Sequence, residues 1–387
     1  MKALRVPRTA DFTSRLRGPQ VSARVGMWLG VAFAVAFVTG VFSHYAQADP
    51  APAWLATRPV WLYRVTQGVH VLAGTAAIPL LLVKLWSVYP RLFIRPPALR
   101  RWRAALVHLL ERGSIAVLVA SALFQVVTGV VNTTTWYPWS FSFRSAHYAV
   151  AWIAVGSLLV HVAVKLPVIR SALGADVDAA EARTSSPPGE KDAAVSRRTV
   201  LRATWLAAGV AVLSTAGATI PGLRRVSVFA VRSGEGPQGI PINGSAVEAG
   251  VTASARSPAW RLELVNGARH GFVSRAELEA MPQHEARLPI ACVEGWSASG
   301  TWSGVRVRDV LARVGAPPNS RLRVFSLQEG WEEDLPPQYA ADGLTLLALR
   351  LGGEPLALDH GYPCRLIAPN RPGVTQTKWL RRLEVVT

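Results

Sequence analysis

The stretch Leu288 to Leu311 reads "LPIACVEGWSASGTWSGVRVRDVL". An apolar strand ends on Cys292, opens into a loop of Gly, Ser and Trp, and closes on "VRVRDVL", whose spacing predicts a short helix. A thiol at such a turn can ionise to a soft thiolate, a ligand suited to a transition metal. Short alternating strands surround it: "RLELV" (261–265), "RLRVFSL" (321–327) and "WLRRLEVV" (379–386). A second short helix is expected near "SRAELEAM". From residue 223 to 387 the chain therefore reads as an α+β domain, large enough for its own core.

Upstream the texture is different. The 387 residues are 50% hydrophobic with mean hydropathy +0.24, high for a wholly soluble chain. Four apolar runs, about Val25–Tyr45, Trp61–Leu85, Ala105–Val131 and Ala146–Leu166, each approach the roughly 20 residues that cross hydrocarbon, and Thr199–Pro221 makes a fifth. The expectation is an α-helical membrane bundle of four helices (25–167) plus a fifth tethering helix (196–222).

A balance of 42 Lys+Arg against 24 Asp+Glu gives a net charge of +18, which alone would also suit a nucleic-acid binder. The placement of the charges decides otherwise. Lys2, Arg5, Arg8, Arg15, Arg17 and Arg24 fill a basic tail (1–24), and only Arg58 stands in the next loop. Arg91, Arg95, Arg100, Arg101 and Arg103 follow, then only Arg144, then Arg170, Arg183, Lys191, Arg197 and Arg198. This alternation puts the N-terminus in the cytoplasm and everything after the fifth helix outside, and it excludes nucleic acid as the partner. The stretch "ADVDAAEARTSSPPGEK" (175–191) reads as a flexible part of a cytoplasmic linker spanning 168–195.

Ionisable side chains in a bilayer are costly, so intramembrane histidines are functional candidates. His70 and His147 each stand 20 residues before a proline, Pro90 and Pro167, with "LLVK" (81–84) matching "LLVH" (158–161) in register. On two helices running the same way they share one depth near the outer face, where facing imidazoles could hold a haem iron. His161 follows His147 by four turns, roughly 21 Å along one helix face. With His108 at similar depth it could complete an inner bis-imidazole site. The bland alternative for His108 is an interfacial residue beside Glu111 and Arg112; His44 reads as a surface loop residue.

Three resemblances extend these readings. "SRRTVL" (196–201) before an apolar run resembles a bacterial twin-arginine signal, which implies export of a folded, cofactor-loaded domain by that machinery; otherwise Arg197 and Arg198 are ordinary positive-inside anchors. The histidine placement resembles the four-helix membrane cytochrome b families, implying haem b and exchange with a quinone or quinol. The segment holding Cys292, Val293, Glu294, Trp296, Ser297, Trp302 and Gly304 resembles the sulfite-oxidase fold of mononuclear molybdenum enzymes, especially the bacterial periplasmic methionine-sulfoxide reductase branch. "LDHGYPCRLIAPNRPGVTQTKWLRRLEV" (358–385) resembles the second half of that family's signature.

The molybdenum-enzyme likeness implies that Cys292 is the protein ligand of molybdenum and the catalytic residue. It also implies that Asn243, His360, Arg365, Gln376, Thr377 and Lys378 hold molybdopterin. Arg365 would offer a planar fork to phosphate oxygens and Lys378 a point charge. Glu294 and Gly295 stand in place of the Cys-Gly-Asn-Arg context of sulfite oxidases, which disfavours sulfite. Ala246 and Val247 stand where the reductase has an aromatic pair. The expected function is a multi-pass enzyme of the bacterial cytoplasmic membrane, acting outside on a small-molecule or protein-bound S- or N-oxide. Two alternatives stay open: an exported binding module that has lost molybdenum, and a molybdenum enzyme anchored by a haem-free bundle. A Cys292–Cys364 disulfide is a further alternative to a buried, inert Cys364.

Overall fold

The computed structural model describes residues 12, 14, 16–93, 102–178, 195–230 and 236–386. Lys2, Arg5, Arg8, Arg15, Arg95, Arg100, Arg101, Arg183 and Lys191 of the charge pattern, and most of the linker, lie outside the described residues. The chain divides into two compact units: residues 1–38 with 70–215, and residues 39–69 with 216–387.

Five long helices arise from the apolar runs: α1 (Pro19–Ala46), α2 (Leu62–Val88), α3 (Trp102–Thr133), α4 (Phe143–Gly174) and α5 (Arg197–Ala216). All five are long and apolar enough to cross a membrane. Many of their large apolar side chains face outward; Val38, Leu109 and Leu206 are each about two-thirds exposed. Helix α4 runs on through Pro167, where the sequence suggested a stop. A proline removes one backbone hydrogen bond, and "VIRSALG" beyond it supplies enough helix-compatible residues to resume.

In the first unit, the Arg24 guanidinium donates to the carbonyls of Ala172, Leu173 and Ala175 at 2.9–3.3 Å, satisfying the open C-terminal end of α4. Lys165 pairs with Glu111, joining α4 to α3. Lys84 Nζ donates to both the carbonyl and hydroxyl of Ser22 at 2.9 Å, so a charged side chain on an apolar helix has fixed acceptors.

The second unit is built on two mostly antiparallel sheets. The first has strand order β2 (Arg269–Ser274), β1 (Arg261–Asn266), β10 (Leu380–Val385), β5 (Leu322–Ser326), β6 (Glu332–Leu335), with β1 and β10 parallel. The second runs β3 (His284–Ala291), β4 (Ser297–Arg306), β7 (Leu346–Leu351), β8 (Glu354–Pro355), with β9 (Arg365–Ile367) also paired to β7. Four short helices complete it: α6 (Thr252–Arg256), α7 (Arg275–Ala280), α8 (Val307–Leu311) and α9 (Pro337–Ala341). The start of α7 is locally encoded: Ser274 accepts from the Glu277 N–H, and Glu277 reaches back to the Ser274 backbone.

One expectation is corrected here. The Gly/Ser/Trp stretch after Cys292 is a loop only over 293–296; from Ser297 it is the ten-residue strand β4, central between β3 and β7. Its weak intrinsic strand preference is overridden by packing. At Gly304 a side chain would come within 2.0 Å of the Leu347 carbonyl, so the bare backbone lets β7 approach.

Segment 39–69, the last turns of α1, the first turns of α2 and their connection, packs as part of this unit. Ala46, Leu55 and Tyr63 belong to the same buried cluster as Leu262, Leu264, Leu322 and Leu383. Arg58 forms a two-pronged pair with Asp342 at 2.8 and 3.0 Å. Asn370 accepts the Tyr63 N–H at 2.7 Å and donates to the Ala56 carbonyl at 2.6 Å.

Candidate functional site

Strand β3 delivers Cys292 to a tight turn. The Cys292 N–H donates to the Trp296 carbonyl at 2.9 Å, and the Gly295 N–H donates to the Cys292 carbonyl at 3.1 Å. Gly295 takes φ +89°, open to a residue without Cβ. The preceding Ala291 bridges in parallel to Pro372, which ties the thiol's strand to the 370–377 loop. The Asn243 amide nitrogen stands 3.6 Å from Cys292 Sγ, within reach of a hydrogen bond to sulfur.

Asn243, Cys292, His360, Arg365 and Lys378 line a single cavity with Ile290, Trp296 and Gly373. The Lys378 ammonium donates to the Gly244 carbonyl at 2.7 Å and the Asp359 carbonyl at 3.0 Å, pinning the Asn243 loop to the 358–361 turn. At Gly361, with φ +106°, a side chain would bring its Cβ within 3.1 Å of Lys378 Cα, so glycine lets the turn lie close to Lys378. His360 Nε2–H donates to the Pro237 carbonyl at 2.6 Å. Arg365 donates to the His360 carbonyl at 3.2 Å, and its guanidinium lies 5.5 Å from the centre of the Trp302 ring.

The electrostatics are those of a cationic pocket short of anions. Burial, then the Arg365 charge, pushes Lys378 down to about 7. Burial pushes Arg365 down to about 10, against the pull of Cys292. His360 is held down to about 4, chiefly by burial, with Arg365 and Lys378 adding to it, so the imidazole is neutral at pH 7. Arg365 Nε in this cavity is buried without a protein partner, as are Arg371 Nη1, Gln376 Oε1 and Thr377 Oγ1 in the neighbouring 371–377 segment. Buried polar atoms seldom go unpaired, so the Arg365 nitrogen calls for an anionic acceptor, while the Gln376 amide oxygen can only accept from a donor. The donor set fits a pterin pyrophosphate beside a metal-bound thiolate.

Gln376 and Thr377 are fully buried beside this cavity, and Gln376 Nε2 donates to the Arg371 carbonyl at 3.0 Å. Arg371 was not among the residues singled out from sequence. It is 5% exposed, donates to Thr375 Oγ1 and the Asp334 carbonyl, and lies over Tyr339. The available signal was a lone cation in the otherwise uncharged run 366–377. Both cysteines are free thiols. Cys364 is buried in a different cluster from Cys292, and burial pushes it up to about 12, which makes it inert.

In the helical unit the His70 and His147 rings lie with centroids 6.2 Å apart. Thr128 Oγ1 donates to the Phe124 carbonyl at 2.6 Å, so toward His147 Nδ1, 2.9 Å away, it can only accept. His70 Nδ1 likewise faces the Ala36 carbonyl at 2.8 Å and must donate. Both rings therefore carry their proton on Nδ1 and present the lone pair of Nε2, the arrangement of metal-ligating histidines. Metal–imidazole bonds of about 2 Å on each side would separate two ring centroids by about 6 Å, so the spacing suits one bis-imidazole iron. His108 and His161 form no ring contact among the described residues; His161 lies in electrostatic reach of Lys84, Lys165 and Glu111.

Residues 249–387 match the family described as "Oxidoreductase molybdopterin binding domain". The chain is 32% identical over 127 residues to the uncharacterized oxidoreductase YuiH of Bacillus subtilis, covering 32% of this chain and 64% of the relative. It is 30% identical over 156 residues to the mitochondrial sulfite oxidase of Drosophila melanogaster, covering 33% and 27%. It is 33% identical over 109 residues to the putative protein-methionine-sulfoxide reductase subunit YedZ1 of Azospira oryzae, covering 28% and 42%. The chain thus spans between about a quarter and just under two thirds of the length of these relatives. Residues 249–387, which hold Cys292 and the cations Arg365 and Lys378 of its cavity, are thus similar to the molybdopterin-binding domain of molybdenum-dependent oxidoreductases.

Proposed function

We propose that the protein is a membrane-bound molybdopterin-dependent oxidoreductase that exchanges electrons among the quinone pool, haem b and an extracytoplasmic molybdenum site. Its substrate class is an S- or N-oxide or a related compound, small or protein-bound. The observation that carries the reading is that the Cys292 thiol shares one cavity with Arg365 and Lys378, and that the buried Arg365 Nε has no protein partner. A binding module without molybdenum has no use for a buried thiol facing uncompensated cations.

Cys292 would ligate molybdenum, and Asn243 would donate to the ligating sulfur. Arg365 and Lys378 would hold the anionic pterin phosphate, with Arg371, Gln376 and Thr377 completing the cradle. When bound, molybdopterin supplies a two-electron redox centre. His360 stays neutral and fixed through Pro237, so it can orient the Arg365 end of the cradle without adding charge. Trp296 and Ile290 wall the cavity against water. His70 and His147 would hold haem b, and the five apolar helices support a membrane setting with the molybdenum domain outside. A second haem at His108 and His161 is favoured by the placement of His161 four turns from His147 on α4.

Metal analysis and a reduced-minus-oxidised spectrum of protein purified from membranes test the reading together. One molybdenum and one or two b-type haems per chain are expected. Absence of molybdenum leaves a binding module, and absence of a b-type band leaves a haem-free anchor.

A further inference from the structure

A directional hydrogen-bond chain runs through the buried polar residues of segment 39–69. Gln47 Nε2 donates to Ser43 Oγ at 2.8 Å, and Ser43 Oγ donates to Gln67 Oε1 at 2.9 Å. Gln67 Nε2 then donates to the Val293 carbonyl at 3.3 Å. The Val293 carbonyl can only accept, so the Gln67 nitrogen must face it and the amide oxygen turns to Ser43. Gln67 is 5% exposed and Ser43 6%. A leucine at 67 would fill the same space without needing partners, so the buried amide asks for a reason beyond packing.

The two ends of Gln67 suggest that reason. Val293 is peptide-bonded to Cys292, the proposed molybdenum ligand. Gln67 precedes His70, the proposed haem ligand, by one turn of α2, a rise of about 4.5 Å. One helical turn, one hydrogen bond and one peptide unit therefore link the histidine to the cysteine. Electrons tunnel far better through bonds and hydrogen bonds than across gaps between packed side chains.

We propose that Gln67 is the electron-transfer contact of this protein, a positioning residue whose amide couples the haem-ligand helix to the Cys292 turn. The proposal rests on the cofactor assignments made above. In each event one electron leaves the haem iron and one arrives at molybdenum; no bond is made or broken, and Gln67 is neither oxidised nor reduced. A quinol, oxidised to the quinone with loss of two protons, supplies both electrons of a two-electron turnover, one per event.

The test uses the full-length holoprotein and flash photoreduction of the haem by a deazaflavin, with no substrate present. In the wild-type protein the reduced-haem absorbance should relax as a molybdenum(V) paramagnetic signal grows. In Gln67→Leu that relaxation should slow at least tenfold, with haem content, molybdenum content and haem midpoint potential unchanged. Ser43→Ala, which keeps Gln67 but frees its amide, should slow it less. Wild-type relaxation in a Gln67→Leu protein that retains both cofactors overturns the proposal, as does the absence of relaxation in a wild-type protein holding both. If Gln67→Leu loses a cofactor, Ser43→Ala decides, and an unchanged rate there overturns it. A wild-type protein lacking haem or molybdenum instead sinks the functional reading itself, and the metal analysis and spectrum reveal that separately.

Discussion

The amide nitrogen of Asn243 lies 3.6 Å from the sulfur of Cys292, across 49 residues of chain. A donor on a ligating thiolate withdraws electron density from the metal and raises its reduction potential. Asn243→Ala should keep molybdenum bound but lower its midpoint potential, read by redox titration of the molybdenum(V) signal. Cys292→Ser should abolish turnover and leave the haem spectrum intact; turnover with bound molybdenum in that variant would overturn the ligand assignment.

Replacing His70 or His147 by Ala should remove the outer b-type haem, lowering haem content by one per chain, and block quinol-driven turnover, while dye-driven turnover persists. Thr128→Val is the finer probe, because it leaves both ligands and removes only the acceptor that fixes the His147 tautomer. Haem affinity should fall about tenfold to a hundredfold, measured by haem retention against a competing apoprotein. Full retention in both histidine variants would show that the pair is not a haem site.

His360 gives the cofactor-free domain a pH signature. Its folded value of about 4 lies below the ordinary 6.5, so between those values the unfolded chain binds the extra proton. Stability from this group is complete above about pH 6.5 and is lost as pH falls toward 4, by up to about 3 kcal/mol. Denaturant unfolding at pH 7 and pH 4.5 should show a larger drop for wild type than for His360→Asn. Equal drops would place the acid sensitivity elsewhere.

Arg197 and Arg198 separate two export readings. Arg198 pairs with Asp176 at 3.2 Å and with Asp178 at 2.8 Å, and Arg197 donates to the Val177 carbonyl at 3.1 Å. As topological anchors, both could become Lys without consequence, since the positive-inside rule counts the two alike. As a twin-arginine signal they could not, because the receptor reads the guanidinium pair. The double Lys variant should strand the molybdenum domain in the cytoplasm, protected from protease added to spheroplasts, with α1 to α4 still inserted. A protease-accessible domain would refute the signal.

What the sequence determined by itself is what neighbouring residues decide among themselves. Runs of apolar residues made α1 to α5 legible, although Pro167 did not end α4, because a proline costs one hydrogen bond and the residues after it still favour helix. Alternation exposed β1, β5 and β10, and Ser274 with Glu277 is a local cap. Matched spacing placed His70 and His147 at one level of their helices. Only the tertiary structure decided the rest. Strand β4 exists because β3 and β7 flank a sequence of weak strand preference. The approach of Asn243 to Cys292, the unpaired guanidinium nitrogen of buried Arg371, and the reach of Gln67 to Val293 depend on segments far apart in the chain. Such contacts form when burial brings the segments together and every buried polar atom must find a partner, a requirement that local sequence pattern does not carry.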